Sequence, residues 1–123
     1  MSTSIRSYQD LDVWQSAITL TELIYRISAG FPPEEKYGLA AQIRRAAVSV
    51  PANIAEGAER FGVRAYLRFL GIASGSLAET ETHLIVSLRL GIADEVKVRV
   101  AQEQIATTSR MLTGLKRSLL RHQ

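Results

Sequence analysis

The chain has 123 residues, no cysteine, two histidines and a net charge of +3. Its length suits one domain that can bury a core without cross-links, and the missing thiols exclude a disulfide scaffold, a thiol nucleophile and a thiolate-held zinc or iron–sulfur centre. Twelve of its fifteen cations are arginine, and they are unevenly spread: residues 1–95 carry nine cations against eleven anions, residues 96–123 six against one.

Residues 1–10 hold one arginine and no apolar run, which reads as no secretory leader. No stretch approaches the roughly 18 uncharged apolar residues of a membrane span, so a cytoplasmic protein with no membrane contact is expected. The periodicity is helical throughout. A first helix is predicted over about residues 11–29, with Asp10 as N-cap and Val13, Ala17, Leu20, Ile24 and Ile27 facing inward. Gly30 and then Phe31-Pro32-Pro33 end it. A second helix is predicted over about 33–58, because Pro33, Glu34 and Glu35 suit a first turn. Its inward stripe is Leu39, Ile43, Ala46, Val50 and Ile54. Pro51 interrupts that stripe and removes the hydrogen bond to the Ala47 carbonyl, which predicts a kink near Ser49 and Val50.

The third helix is predicted over about 63–90 with Gly91 as the residue after its cap. Its seam reads Val63, Leu67, Leu70, Ser74, Leu77, Glu81, Leu84 and Leu88. Gly71, Ser74, Gly75 and Ser76 form a small-residue patch, which costs helix propensity and predicts a close crossing by another helix. The fourth helix is predicted over about 95–121, capped by Asp94, with Ala101, Ile105, Thr108, Leu112, Leu115 and Leu119 as its seam. Four such helices with short connections predict an all-α, antiparallel up-down-up-down four-helix bundle, one domain over residues 1–123.

The second helix also carries a polar stripe: Gln42, Arg45, Ser49, Asn53 and Glu56 recur at helical spacing, with Ala46 and Ala52 between them. Exposed faces usually hold Lys and Glu. Gln, Arg, Ser and Asn between small residues suit a hydrogen-bonded helix contact. The expectation is a partly buried network, with Arg45 on a carboxylate such as Glu79 or Glu81 and Asn53 on backbone near Pro51. Such networks fix register more than they add stability. A ligand site on Arg45, Asn53 and Glu56 is the competing reading.

Several runs carry a family resemblance: Asp10-Leu11-Asp12-Val13-Trp14-Gln15, then Phe31-Pro32-Pro33-Glu34-Glu35-Lys36-Tyr37-Gly38-Leu39. The longest runs from Gln42 through Arg44-Arg45-Ala46-Ala47 and Pro51-Ala52-Asn53-Ile54-Ala55-Glu56-Gly57. Phe69-Leu70-Gly71-Ile72-Ala73-Ser74-Gly75-Ser76-Leu77-Ala78-Glu79 and Arg89-Leu90-Gly91 follow. Over residues 8–91 the chain resembles the four-helix bundle family also known as the 23S rRNA intervening-sequence proteins. Thr80 departs from that pattern, which has leucine after the glutamate matched by Glu79; the local packing is what this puts in question. The resemblance implies a cytosolic four-helix bundle that assembles as a homopentamer. Some members are encoded within ribosomal RNA intervening sequences. Others resemble the accessory protein of diversity-generating retroelements, a basic pentamer that binds nucleic acid and a reverse transcriptase.

Catalytic constellations are not apparent. Di-iron bundles need paired Glu-x-x-His motifs, but Thr80 stands three residues before His83 and Leu119 three before His122. Glu79 and His83 read as a surface pair one turn apart. Neither phosphate-binding glycine motif occurs, and the serine in Gly71-Ile72-Ala73-Ser74-Gly75 is not in nucleophile-elbow order. A protein that is not an enzyme, with no metal or cofactor, is expected. What remains is charge. Arg60, Arg64 and Arg68 fall at i, i+4 and i+8, expected as one stripe opening the third helix, with Phe61 and Tyr66 nearby; Lys116, Arg117 and Arg121 add three cations. Arginine's planar fork suits phosphate, although Glu56 and Glu59 offset part of the stripe. Two functions follow. One is a homo-oligomeric accessory protein that holds the RNA or DNA backbone in a salt-sensitive way. The other is an oligomeric scaffold for a partner protein, with no nucleic-acid role. Trp14, Tyr25, Tyr37, Phe61, Tyr66 and Phe69 are many aromatics for a narrow bundle, so some are expected to face another subunit.

Overall fold

The computed structural model describes residues 7–122; most of the N-terminal stretch read above for a leader lies outside them. A 3-10 turn (Tyr8–Asp10) leads into α1 (Asp12–Ala29), a second 3-10 turn (Pro33–Glu35), α2 (Leu39–Ala58), α3 (Val63–Arg89) and α4 (Glu95–Arg121). Among the described residues there is no strand. The third and fourth helices fall where the periodicity puts them, and the first begins one residue late.

Two terminus expectations are corrected. Asp10 belongs to the 3-10 turn, so the N-cap position of α1 is Leu11, which has no capping side chain. The stretch predicted as one helix over 33–58 is split. Pro33–Glu35 closes a single 3-10 turn, Gly38 leaves helical geometry (φ −102°, ψ −113°), and α2 starts at Leu39. Glu35 then caps that second start, its carboxylate accepting from the Leu39 N–H at 3.0 Å. The other termini follow local chemistry. Asp94 caps α4 by accepting from Lys97 N–H at 3.0 Å. Gly91, at φ 72°, closes α3 in a Schellman turn, with Ile92 N–H on Ser87 O and Gly91 N–H on Leu88 O.

Each helix lies close along two neighbours, α1 on α2 and α4, α3 on α2 and α4, and side chains of all four meet in one core. Residue pairings run in opposite directions. Thr21 reaches Ala47 while Ser28 reaches Arg44. Ser49 meets Ser76 while Gly57 abuts Tyr66 and Phe69. Ser16 meets Thr108 while Ile27 lines a groove with Val96 and Val100. Those three interfaces are therefore antiparallel, which leaves α3 and α4 antiparallel as well.

The inward stripe read for α1 is buried throughout: Val13, Ala17, Leu20, Ile24 and Ile27. On α3 the buried line is Leu70, Ala73, Leu77, Thr80, Leu84 and Ser87. The heptad reading instead placed Ser74 and Glu81 in the seam, and both are half-buried. The helix turns about 3.6 residues rather than 3.5, and small side chains fit the line that faces α2. Thr80, the departure from the family pattern, is fully buried and donates to the Ser76 carbonyl at 2.8 Å, so the core accepts its hydroxyl.

Pro51 lies inside α2, which continues across it as one element. The Ala47 carbonyl that the proline leaves without a backbone donor is reached by the Thr21 hydroxyl of α1 at 3.3 Å. The small-residue patch behaves differently from its reading. A methyl added at Gly71 or Gly75 would meet nothing within 4 Å, so the two glycines face out of the protomer, while Ser76 meets Ser49 of α2 and Ser74 meets Lys116 of α4. The close crossing is at Gly57, where a methyl would come 2.8 Å from Phe69 Cβ and 3.1 Å from Tyr66 Cδ1.

Candidate nucleic-acid interface

The end of α2, the start of α3 and the end of α4 converge at one end of the bundle. A shallow hollow there is lined by Tyr8, Leu11, Ala58, Glu59, Tyr66 and Leu115, and so joins the first 3-10 turn to the end of α2, the start of α3 and the last turns of α4. Tyr66 is half-buried in it, and burial pushes its phenol above the usual tyrosine value. All six candidate cations lie on the segments that meet here, and they divide into two groups.

Three are engaged. Arg60 is not on α3 as the stripe assumed. The turn after α2 holds it, because α3 starts only at Val63. Its guanidinium donates to Glu56 at 2.7 Å and lies over the Phe69 ring, 5.1 Å from the centroid. Arg68 covers the same ring at 5.7 Å. Lys116 is half-buried and donates to Ser74 Oγ at 2.6 Å, tying α4 to α3. The other three, Arg64, Arg117 and Arg121, are exposed and form no ion pair among the described residues. Arg117 and Arg121 are one turn apart on α4. An exposed guanidinium without a carboxylate keeps its full donor fork for an external phosphate.

Phe69 was missed as the ring that orders Arg60 and Arg68. The signal was present as an aromatic directly after Arg68, but its role depends on the α2–α3 turn bringing Arg60 back over it.

The polar stripe of α2 holds only in its middle. Asn53 Nδ2 donates to the Ser49 carbonyl at 2.7 Å and to Ser49 Oγ at 2.9 Å, and Ser76 of α3 donates to Ser49 Oγ at 2.8 Å. That ladder is the expected backbone contact beside Pro51. The ends of the stripe depart from the expectation. Arg45 is exposed and has no carboxylate partner among the described residues, Gln42 is exposed, Glu56 serves Arg60, and Glu79 serves His83 at 3.3 Å. The interhelix arginine is the neighbour, Arg44. It donates to Ser28 Oγ at 2.7 Å and to the Tyr25 carbonyl at 3.3 Å, and lies over the Tyr25 ring at 4.7 Å. One position along a helix turns a side chain by about 100°, which exchanges an inward arginine for an outward one.

The exposed aromatics are Tyr25, Tyr37 and Phe61, whereas Trp14 and Tyr66 pack partly against the core. No helix among the described residues is long and apolar enough to cross a membrane. Comparison with curated proteins finds no match. The family model described as the 23S rRNA-intervening sequence protein matches residues 9–114, which takes in Arg60, Arg64 and Arg68 and stops short of Lys116, Arg117 and Arg121. On that match, over most of its length, the chain belongs to the 23S rRNA-intervening sequence protein family.

Proposed function

We propose that this protein is a non-enzymatic, homo-oligomeric, cytoplasmic accessory protein that holds the phosphate backbone of RNA or DNA. The observation that carries the reading is the set of exposed guanidinium groups of Arg64, Arg117 and Arg121 at one end of the bundle, which form no ion pair among the described residues. Backbone contacts of this kind carry no sequence code, and their strength falls with salt as counterions are released. The oligomer is a pentamer, as the family resemblance implies. A self-contact is supported by the apolar groove between α1 and α4, where Leu23 and Ile27 face Val96 and Val100, with Val96 73% exposed. A closed ring would repeat the cationic end around its axis and raise the local field.

The same groove favours a second reading, an oligomeric scaffold whose groove takes a partner protein. Titration of a labelled oligonucleotide at low and moderate salt separates the two. The first reading predicts tight binding at low salt that weakens steeply; no binding at low salt leaves the scaffold. Native mass measurement of the full chain tests the assembly, and a concentration-independent monomer would refute it.

A further inference from the structure

Phe61 is the most exposed large apolar side chain described, at 103%. It sits at the tip of the turn joining α2 to α3, at the cationic end. The two nearby aromatics of α3, Tyr66 and Phe69, pack against Gly57. The next residue, Gly62, has φ 88° and opens α3 directly, in a conformation that other residues rarely adopt. The turn is therefore built with the ring left out, and none of the described residues covers it.

Its setting is specific. Arg60 precedes the ring and is anchored by Glu56 and Phe69, and Arg64, three residues on, forms no ion pair among the described residues. An exposed ring beside guanidinium groups matches an unpaired nucleobase joined to its phosphate: the base face stacks on the ring and the phosphate takes the fork. A duplex keeps its base faces stacked inside and offers the ring nothing. An apolar protein pocket would have to take Arg60 and Arg64 along with the ring. Tyr37, at the other end, provides the contrast. It is 86% exposed, but Lys36 lies over its ring at 5.5 Å and Glu34 and Glu35 stand next to it in the chain.

We propose that Phe61 is a stacking platform for an unpaired base, so that the cationic end binds single-stranded nucleic acid in preference to duplex. This rests on the nucleic-acid reading above and narrows its ligand. The test uses the full chain and fluorescence anisotropy at low salt, with labelled oligouridine, oligothymidine and a blunt RNA duplex, each about 20 units long to exceed one contact site. The proteins are wild type, Phe61→Ala, Phe61→Trp and Tyr37→Ala. Wild type should prefer the single strands. Phe61→Ala should lose about tenfold or more on them while its duplex affinity stays put, and Phe61→Trp and Tyr37→Ala should bind as wild type does. Loss on both single strands assigns the ring to either sugar; loss on one assigns it to that one. Unchanged binding by Phe61→Ala, or an equal loss on duplex, overturns the platform and leaves the charge reading standing. Wild type that binds none of the three probes overturns both.

Discussion

The two ends of the bundle carry similar numbers of cations and use them differently. At the end where α1 meets α2 and α3 meets α4, Arg99 pairs with Glu95 and Lys36 lies over Tyr37 beside Glu34 and Glu35; of the exposed cations there that form no ion pair among the described residues, Arg26 has Glu22 and Lys97 has Asp94 within one turn, and Arg89 has no acid at that spacing. At the other end Glu56 answers Arg60, but Arg64, Arg117 and Arg121 form no ion pair among the described residues and have no acid three or four residues away in sequence. The sum of charges therefore says little about where a polyanion could bind. What matters is whether an acid sits one helical turn from each base, because i,i+4 pairing neutralises a cation locally.

The strongest break in this comparison is charge reversal. Arg64→Glu with Arg117→Glu should weaken oligonucleotide binding at low salt by about a hundredfold, since two phosphate contacts become repulsions. Arg89→Glu with Lys97→Glu, at the opposite end, should change it by less than about threefold, for want of a nearby contact site. Equal effects at both ends would show that only net charge counts.

A second pair of variants separates the placement of the cations from their charge. Gly57→Ala pushes a methyl to 2.8 Å from Phe69 Cβ, and should cost about 1–3 kcal/mol in chemical denaturation by overpacking. Gly71→Ala meets open space on the outer face of α3, and should stabilise by about 0.5–1 kcal/mol. The opposite signs would confirm that the close crossing lies at the cationic end.

The smallest effect concerns Tyr66. Its folded-state pKa is raised by burial, so its contribution to stability is full below the unfolded value, near 10, and is lost as pH rises through the folded one. Tyr66→Phe cannot ionise and escapes that loss. The melting temperatures of the two proteins should match at neutral pH and diverge above about pH 10, with wild type falling first.

Much of the architecture was legible because it is periodic. The stripes of α1 and α4, Asp94 as a cap and Gly91 as a stop follow from spacing and from the chemistry of helix ends. What escaped depended on side chains meeting across helices. No spacing rule distinguishes Arg44 from Arg45 when the inward direction is uncertain by a few tens of degrees. Arg60 left its stripe because α3 begins at Val63, three residues later than a helical i, i+4, i+8 pattern from Arg60 implies. The small-residue patch holds as a contact only at its serines: Ser74 and Ser76 meet neighbouring helices while Gly71 and Gly75 face open space, a division that the propensity cost of the four residues does not show. The six candidate cations were all found on segments that reach one end, yet which three are free depended on Glu56, Phe69 and Ser74.

The central claim is that exposed arginines at one end hold a phosphate backbone. The most direct measurement is the slope of log binding constant against log salt concentration for the full chain on oligouridine. The account predicts a steep linear decline, and a slope reduced by roughly one to two counterions in the Arg64→Glu/Arg117→Glu variant. A flat slope, or the same slope in both proteins, would contradict it.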